Sequence, residues 1–288
     1  PNFLWMAERR KVSVILINGR ISDKSFKRYK TVRAWIPEFS EAWMQSEEDA
    51  NRIKELTQNP SKVKVMGNIK FDYSPHTITP GLRNLLRNWK KNSLLLIAGS
   101  TMRGEEDLLL ETYKQLSSKA DIKILIAPRH PDRFDEVYSL AEAKGFDVSR
   151  RSMHEEKGNV MILDTIGELA AAYELADVVF MGGTISYGGH NPIEAAFYAK
   201  PIVAGPHYEN FRAIFEDLMR NQAIVVSSDV SGALSTLIAD PKLRERIGSA
   251  AQQLIQTNQG ATDFVLQNIR KYLDDRSILE PGSKSSVR

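Results

Sequence analysis

The sequence predicts an α/β protein whose parallel sheets are doubly wound, with helices on both faces. Short apolar runs of strand length alternate with longer segments of helical periodicity almost from end to end. These short runs are continuously apolar, which is typical of strands that are buried on both faces of a parallel sheet. Their order along the chain is βαβα, so consecutive strands can be joined by crossover helices.

Each expected element follows from one of these runs. Strands are predicted at residues 12–17, 43–45, 64–66, 94–98, 123–127, 160–163, 178–181, 202–204 and 224–226. Helices are predicted at residues 47–57, 104–118, 132–144, 193–198, 211–220, 243–256 and 263–273. Ser46 and Asp49 resemble a capping box, which predicts that the first of these helices begins beside them.

A break in the pattern at residues 73–80 predicts an interdomain linker, because this segment has two prolines and no regular periodicity. Residues 1–72 hold three of the predicted strands, which is too few for a complete domain sheet, whereas residues 81–258 hold six. We therefore expect an incomplete first domain, a complete second domain, and a helix with a flexible tail at residues 259–288.

The composition excludes several kinds of chemistry. Of the 288 residues, 42% are hydrophobic and 26% are charged, as in soluble globular proteins. The sequence has no cysteine, which excludes a disulfide scaffold, thiol catalysis and thiolate-bound zinc. HExxH, Walker, Gly-x-Ser-x-Gly and Asp-x-Asp motifs are missing from the sequence, so we expect neither a metal site nor a hydrolase nucleophile.

Positive charge is concentrated near the start of the chain. Residues 1–35 contain nine Lys and Arg against two acidic residues, whereas the whole chain has a net charge of +3. Such a block attracts phosphate-rich partners, including an anionic membrane surface, although a solvated helix face explains the charge equally well. No recognised nucleic-acid module surrounds it, so we expect no nucleic-acid partner.

Ligands of open parallel sheets bind outside the carboxyl ends of the strands, so the loops that follow the predicted strands are candidates for the site. Ser100 and Thr101 lie in a small-residue turn that suits an anion, although a simple capped turn explains it better. Pro128, Arg129 and His130 precede a second proline, Pro131. Two prolines would hold this cation and this imidazole rigidly, which favours a binding role.

Two later loops add glycines and acids. Ile166, Gly167 and Glu168 follow Asp164 and Thr165, either of which could cap the next helix. In the most specific loop, two Gly-Gly pairs precede a helix start in which Asn191 is the expected N-cap and Pro192 the first helical residue. The members of this loop that we expect to line a nucleotide site are Gly188, Gly189, His190, Asn191, Pro192, Ile193 and Glu194. The backbone amides of this loop would bind a phosphate, and Glu194 would bind a ribose. His207 follows a further predicted strand and could line the same cleft.

Taken together, the motifs resemble those of the 3-deoxy-D-manno-octulosonic acid (Kdo) transferases of lipopolysaccharide assembly. The segments that carry the resemblance are Asn-Gly-Arg-Ile-Ser at 18–22, Gly-Asn-Ile-Lys-Phe-Asp at 67–72, Pro-Arg-His-Pro at 128–131, Gly-Gly-His-Asn-Pro-Ile-Glu-Ala-Ala at 188–196 and Gly-Pro-His-Tyr-Glu-Asn-Phe at 205–211. They occur in the order seen in that family, and the resemblance extends from residue 1 to about residue 260.

The resemblance implies a GT-B fold with two Rossmann-like domains, of which the N-terminal one is incomplete in this chain. It implies an inverting transferase that moves Kdo from CMP-Kdo to the lipid A precursor, without a metal or cofactor, at the cytoplasmic face of the bacterial inner membrane. The implied CMP contacts are Pro128, Arg129, Ile166, Gly167, Glu168, Asn191, Pro192, Ile193 and Glu194. Further cleft residues would be Lys70, Ser100, Thr101, His130, Gly188, Gly189, His190 and His207.

In that family, the acceptor domain extends upstream of the segment matched by Pro1 and carries the acidic general base. We therefore expect an N-terminally truncated chain with no catalytic residue of its own. If it does turn over, Glu8, Glu38 and Glu41 are the first acids to examine. Two alternatives to Kdo transfer stay open. The chain could be another GT-B enzyme, such as a UDP-sugar transferase or 2-epimerase, or a nucleotide-binding fragment without turnover.

Overall fold

The structure is a computed structural model that describes residues 2–32, 39–74 and 77–273, except for the side chains of Asn2, Lys271 and Leu273. The predictions made for Glu38 and for the tail beyond residue 273 lie outside the described residues. The chain divides into two units, of which one comprises Pro1–Asp72 with Asn258–Arg288 and the other Tyr73–Thr257. The C-terminal helix therefore groups with the first unit.

The first unit contains a parallel sheet of three strands in the order β1-β2-β3. The strands are β1 (Ile15–Gly19), β2 (Glu41–Met44) and β3 (Val63–Val65). The helices in the N-terminal part of this unit are α1 (Asn2–Arg9), α2 (Asp23–Thr31) and α3 (Glu47–Leu56), and one-turn 3₁₀ helices lie at Pro60–Lys62 and Ile69–Phe71. Ser46 caps α3 by accepting a hydrogen bond from the Asp49 amide, as the capping box predicts.

The C-terminal helix α12 (Ala261–Leu273) covers part of the first sheet. Trp43 of β2 is fully buried, and its ring meets that of Phe264 edge-on at 5.6 Å between centroids. The other apolar cluster of this unit joins β2 and β3 to α3 through Ala42, Met44, Ile53 and Val63. The two clusters place apolar side chains on both faces of β2, as expected for a parallel strand.

The second unit contains a seven-stranded sheet in the order β10-β9-β8-β4-β5-β7-β6, and all its strand pairs are parallel. The strands are β4 (Leu94–Thr101), β5 (Ile122–Pro128), β6 (Val148–Arg150), β7 (Val160–Ile162), β8 (Val178–Met181), β9 (Ile202–Ala204) and β10 (Val225–Val226). The prediction missed β6, because Val-Ser-Arg is a short polar edge strand with no apolar run.

The helices of the second unit are α4 (Pro80–Lys90), α5 (Glu105–Ser117), α6 (Phe134–Ala143), α7 (Leu169–Ala172), α8 (Ile193–Phe197), α9 (Arg212–Arg220), α10 (Val230–Ala239) and α11 (Pro241–Thr257). Helices α1, α2, α4 and α10 were not predicted, and α7 was expected only as a helix after Thr165 without stated bounds. Thr79 caps α4 and Pro80 occupies its first turn, so the proline that was assigned to the linker begins a helix. Ile78 is 1% exposed, so the residues just before this helix are packed as well.

The strand order brings the ends of four neighbouring strands together. From β4 the chain runs to one side of the sheet through β5, β6 and β7, and then crosses to the other side of β4 to form β8. This reversal creates a crevice between the carboxyl ends of β4 and β8, which is where ligands bind in open α/β sheets.

Candidate functional site

Five loops that follow neighbouring strands lie at the carboxyl edge of the second sheet, because its strands are all parallel. They follow β4 at residues 102–104, β5 at 129–130, β7 at 163–168, β8 at 182–192 and β9 at 205–208. Strands β8, β4, β5 and β7 are consecutive neighbours. All the predicted site residues except Lys70 belong to this edge. Lys70 belongs to the first unit, in the 3₁₀ helix Ile69–Phe71.

A buried carboxylate joins the loops that follow β4 and β8. Glu105, the first residue of α5, is only 1% exposed. Its Oε2 accepts hydrogen bonds from the amides of Gly183 at 2.8 Å and Met102 at 2.9 Å, and its Oε1 accepts one from Ile185 at 3.1 Å. Sequence reasoning missed this role. The partners lie about 80 positions apart, and an acid in a first helical turn is ordinarily explained by the helix dipole.

The glycines of the loop after β8 are required by close packing and by backbone conformation. A Cβ on Gly182 would lie 2.2 Å from the carbonyl oxygen of Ser100. A Cβ on Gly183, whose φ is +72°, would lie 2.8 Å from the His190 ring. Gly188 and Gly189 also have positive φ, at +83° and +78°. The loop is therefore a packed structure with a defined backbone.

The loop after β9 is hydrogen-bonded to the glycine loop. The His207 amide donates to the Thr184 carbonyl at 2.9 Å, and the Asn210 amide donates to the Gly188 carbonyl at 2.9 Å. The imidazole of His207 is half-exposed and lies 3.4 Å from the carboxylate of Glu209. The glycine loop is thus supported from the β4 side by Glu105 and from the β9 side by these amides.

The helix after the glycine loop begins at Ile193, as the predicted range 193–198 has it, but its predicted N-cap is wrong by one residue. The N-cap of this helix, α8, is Pro192. The side-chain oxygen of Asn191 accepts a hydrogen bond from the Ile193 amide at 3.2 Å, because an Asn side chain can bond to the backbone two residues ahead. Glu194 lies in the first turn, as expected, and is half-buried. Burial, followed by the negative charge of Glu194, raises the pKa of the fully buried Tyr173 phenol.

The β5 loop presents a cation at the same edge. Pro128 ends β5, and the Arg129 amide donates to the Thr101 carbonyl at 3.0 Å, which fixes the two loops to each other. Arg129 and His130 are exposed, and no carboxylate in the described part of the chain lies within ion-pair distance of Arg129. The pKa of His190 is lowered, mainly by burial and secondly by the positive charges of Arg129 and His130. These three basic groups therefore lie close enough to influence each other.

A buried ion pair anchors this cationic loop to α5. The guanidinium of Arg133 contacts both carboxylate oxygens of Glu106 at 2.8 and 3.1 Å, and the two residues are 7% and 1% exposed. Glu136 accepts a further hydrogen bond from Arg133 at 3.2 Å. The bonds to Glu106 raise the pKa of Arg133 despite its burial, so this arginine stays charged. Neither residue was singled out from the sequence.

Two of the predicted contacts in the β7 loop are exposed, and the third is hydrogen-bonded to other side chains of the protein. Ile166 is 81% exposed, and Gly167, with φ of +86°, has open space where a Cβ would lie. The carboxylate of Glu168 accepts hydrogen bonds from Arg151 at 2.9 Å and from the Thr165 hydroxyl. The expected helix cap is wrong: Asp164 accepts from the Ser152 amide and hydroxyl, and α7 has no side-chain cap.

The remaining candidates fall into different environments. Ser100 adopts a left-handed conformation with φ of +55°, and Thr101 is fully buried. Within the described residues, the Thr101 hydroxyl has no hydrogen-bond partner. In the first unit, Glu41 accepts hydrogen bonds from Trp43 at 2.6 Å and Tyr272 at 2.8 Å, so its carboxylate has a structural role, while Glu8 is exposed on α1.

The described ranges contain neither a metal-binding cluster nor a membrane-spanning helix. No group of three or more His, Asp or Glu side chains there is arranged to hold a metal ion. None of the helices found there combines the length and the apolar character that crossing a membrane requires.

Comparison with known proteins identifies the family. The family model of 3-deoxy-D-manno-octulosonic-acid transferase (kdotransferase) matches residues 1–73. A 3-deoxy-D-manno-octulosonic acid transferase of Haemophilus influenzae is 30% identical over 288 aligned positions, which cover 95% of this chain and 67% of that protein. This chain thus spans about two thirds of the length of that relative.

Solved structures agree with the sequence comparison. The C-terminal CMP-Kdo binding domain of WaaA from Acinetobacter baumannii is similar, with a TM-score of 0.57, 30% identity, and coverage of 60% of this chain and 95% of that domain. Anabaena HepE in complex with UDP, at 13% identity, covers 94% of this chain and 75% of HepE with a TM-score of 0.53, which shows the GT-B fold alone. Sequence motifs, curated relative and domain structure agree, and the chain belongs to the 3-deoxy-D-manno-octulosonic acid transferase family.

Proposed function

We propose that this protein is an inverting glycosyltransferase that transfers Kdo from CMP-Kdo to a lipid A precursor in lipopolysaccharide biosynthesis. Its membership of the family supports the reaction, and its likeness to a CMP-Kdo binding domain supports the donor. The second unit would bind the donor, because that unit carries the loops that match the donor motifs.

One observation carries the donor assignment: Arg129 is exposed beside His130 and His190, with no carboxylate partner in the described residues, at the edge where α8 begins. A guanidinium can bind a phosphate through two parallel hydrogen bonds. Glu194, in the first turn of α8, can accept hydrogen bonds from ribose hydroxyls. Pro128, Ile166, Gly167, Glu168, Asn191, Pro192 and Ile193 complete the proposed CMP site.

This geometry suits the transfer of a sugar away from a nucleotide. An acceptor hydroxyl would attack the anomeric carbon of Kdo and form the new C–O bond, while the bond from that carbon to the phosphate oxygen breaks. A carboxylate base would take the proton of the hydroxyl, which activates the oxygen for attack. Negative charge develops on the departing CMP, and Arg129 would stabilise it.

The acceptor and the membrane belong to the proposal as well. Lys24, Lys27 and Arg28 are exposed on α2 in the first unit. Exposed cations of this kind attract phosphorylated lipid headgroups and anionic bilayers. We infer that the protein works as a peripheral protein at the cytoplasmic face of the bacterial inner membrane, where such an acceptor would be presented.

The donor site can be tested by calorimetry with CMP, with UMP as the competing pyrimidine nucleotide. We expect CMP to bind more tightly than UMP, and Arg129→Ala and Glu194→Ala each to weaken CMP binding by about 1–3 kcal/mol. Arg220→Ala is the matched control, because Arg220 is exposed on α9 and paired with Asp217. Unchanged CMP affinity in both site variants, with the fold intact, would refute the site. Metal independence stays a prediction, which equal CMP affinity with and without EDTA would support.

A further inference from the structure

We propose that Glu105 is the positioning residue of the donor site: its carboxylate fills the amide nest of the glycine loop and holds the residues that follow, His190 to Glu194, in place for the nucleotide. This inference rests on the proposed function, since it names a residue that acts on the same site without touching the ligand.

The hydrogen bonds of Glu105 provide the geometric basis. The side chain leaves the first residue of α5, and the N-cap of that helix, Gly104, has a φ of +91° and makes no side-chain cap. The carboxylate bonds to the Met102 amide behind it and crosses the crevice to the amides of Gly183 and Ile185. Backbone amides from nearby residues of one loop that converge on a single anionic group form an anion-binding nest. Here a carboxylate of the protein itself occupies that nest.

Gly183 transmits this contact to the rest of the loop. Its carbonyl accepts hydrogen bonds from the amides of Tyr187 at 3.0 Å and Gly189 at 2.8 Å. The His190 ring lies against its Cα, where a Cβ would be 2.8 Å away. A displacement of Gly183 therefore moves His190, and with it the start of α8. It also follows that the amides of Gly183 and Ile185 are not available to a phosphate, which leaves that role to Arg129 and the segment from Asn191 onward.

Stability alone does not explain a carboxylate at this position. Burial raises the pKa of Glu105, the three amides lower it, and the charge of Glu106 raises it again, with a net increase. A carboxyl group whose pKa is raised on folding contributes stability below its ordinary pKa, and this contribution is lost as pH rises through the folded-state pKa. The ionised form, which makes the three hydrogen bonds, thus costs folding free energy. Its benefit lies in the geometry of the loop.

The charged groups around the nest define what a pH measurement reports. Glu106, on the same helix, is paired with Arg133. Arg103, from the β4 loop, is paired with Glu136. His190, from the glycine loop, is influenced by Arg129 and His130 of the β5 loop. Because His190 titrates too, the effect of Glu105 must be measured as a difference between the protein with and without its carboxylate.

The test compares Glu105→Gln with Asp177→Asn. The carboxylate of Asp177 also accepts a hydrogen bond from a backbone amide, that of Leu95 at 2.8 Å, but Asp177 lies at the amino edge of the same sheet. We expect Glu105→Gln to weaken CMP binding by about tenfold or more at neutral pH, because its amide group has one acceptor oxygen for three donors. Glu105→Asp should recover part of the affinity, and Asp177→Asn should leave it unchanged.

Two further readouts separate positioning from a structural role. The ratio of CMP affinities between the natural protein and Glu105→Gln should be large at neutral pH and approach one as the carboxyl group becomes protonated. Hydrogen exchange at the Gly183 and Ile185 amides should be faster in Glu105→Gln, and this measurement needs no ligand. Failure of the natural protein to bind CMP would refute the proposed function only. Unchanged exchange, or full CMP affinity in folded Glu105→Gln, would refute the role of Glu105.

Discussion

At the scale of single residues, Gly182 shows how little space separates the two loops at the crevice. Its amide donates to the Gly99 carbonyl at 2.8 Å, and a Cβ would lie 2.2 Å from the Ser100 carbonyl oxygen. Backbone atoms cannot move aside as a flexible side chain can. We expect Gly182→Ala to lower the free energy of unfolding by about 1–3 kcal/mol, as overpacking does, and to weaken CMP binding.

Gly81 is the matched control for this substitution. It lies in the first turn of α4, and nothing lies within 4 Å of the position that a Cβ would take. Gly81→Ala should raise the free energy of unfolding by roughly 0.4–1 kcal/mol, because alanine restricts the unfolded chain. Urea unfolding of both variants measures the two effects. An equal change in both would show that the contact with Ser100 has no special cost.

The buried ion pair of Arg133 and Glu106 makes a second prediction at this scale. Arg133→Met leaves the carboxylate of Glu106, which is 1% exposed, without its principal partner, so we expect a loss of about 3–5 kcal/mol in unfolding free energy. The double variant Arg133→Met/Glu106→Leu removes both charges and should recover most of that loss. Chemical denaturation of the natural protein, the two single variants Arg133→Met and Glu106→Leu, and the double variant measures these free energies. A double variant as unstable as Arg133→Met would contradict the prediction.

At the scale of elements, one carboxylate caps the start of α12. Asp72 accepts hydrogen bonds from the amides of Gly260, at 2.6 Å, and Thr262, where α12 begins. Burial alone would raise the pKa of Asp72, but the hydrogen bonds from Thr262, Gly260 and Ala261 outweigh it and hold the pKa below its ordinary value. These hydrogen bonds therefore stabilise the fold fully above the ordinary pKa of the carboxyl group. The stabilisation is lost as the pH falls through the lowered pKa of Asp72.

We therefore expect Asp72→Ala to destabilise α12 by about 0.5–2 kcal/mol at neutral pH, the usual effect of losing a helix cap. The difference from the natural protein should disappear in acid. Hydrogen exchange of the α12 amides, followed from neutral to acidic pH, measures it directly. Asp229→Ala is the control, because Asp229 caps α10 through the Gly232 amide and should leave exchange in α12 unchanged.

At the scale of the whole molecule, the second unit has the features of an independent domain. Its seven-stranded sheet has its own apolar core, which joins β4, β5, β7 and β8 to α5 and α10. We expect residues 73–257, expressed alone, to unfold cooperatively and to bind CMP about as tightly as the entire chain. Circular dichroism and calorimetry check both points. A fragment that does not fold would show that the first unit is needed to complete it.

The basic surface of the first unit leads to the remaining prediction. Lys30 is paired with Glu55 at 2.9 Å, so Lys24, Lys27 and Arg28 should contribute most of the attraction to anionic vesicles. Replacing these three residues by Gln should weaken vesicle binding by roughly 1 kcal/mol per charge at low salt, with the difference fading as salt rises. The control replaces the exposed Lys114, Lys119 and Lys242 of the second unit. Equal losses in the two variants would indicate a nonspecific effect of net charge.

The sequence by itself determined the α/β class, the family and the loops that hold the candidate site. Strands β8 and β9 lie where predicted, because a strand buried on both faces must be apolar throughout, and this pattern is local. Sequence motifs identified the family, and the comparisons confirm it. Helices without a clear apolar stripe or a recognised cap, such as α10, and the polar edge strand β6 were missed because their local signals are weak.

Only the tertiary structure decided which polar groups meet. Glu105 reaches Gly183 across 78 positions, Arg133 reaches Glu106 across 27, and Asp72 reaches Gly260 across 188. Each acid stands near a helix start or a turn, where the sequence offers a sufficient local explanation for it. The partner depends on the order of strands in the sheet and on where the chain returns, and these follow from the packing of the whole unit. The positions of the site loops could therefore be predicted, but not the contacts that hold them.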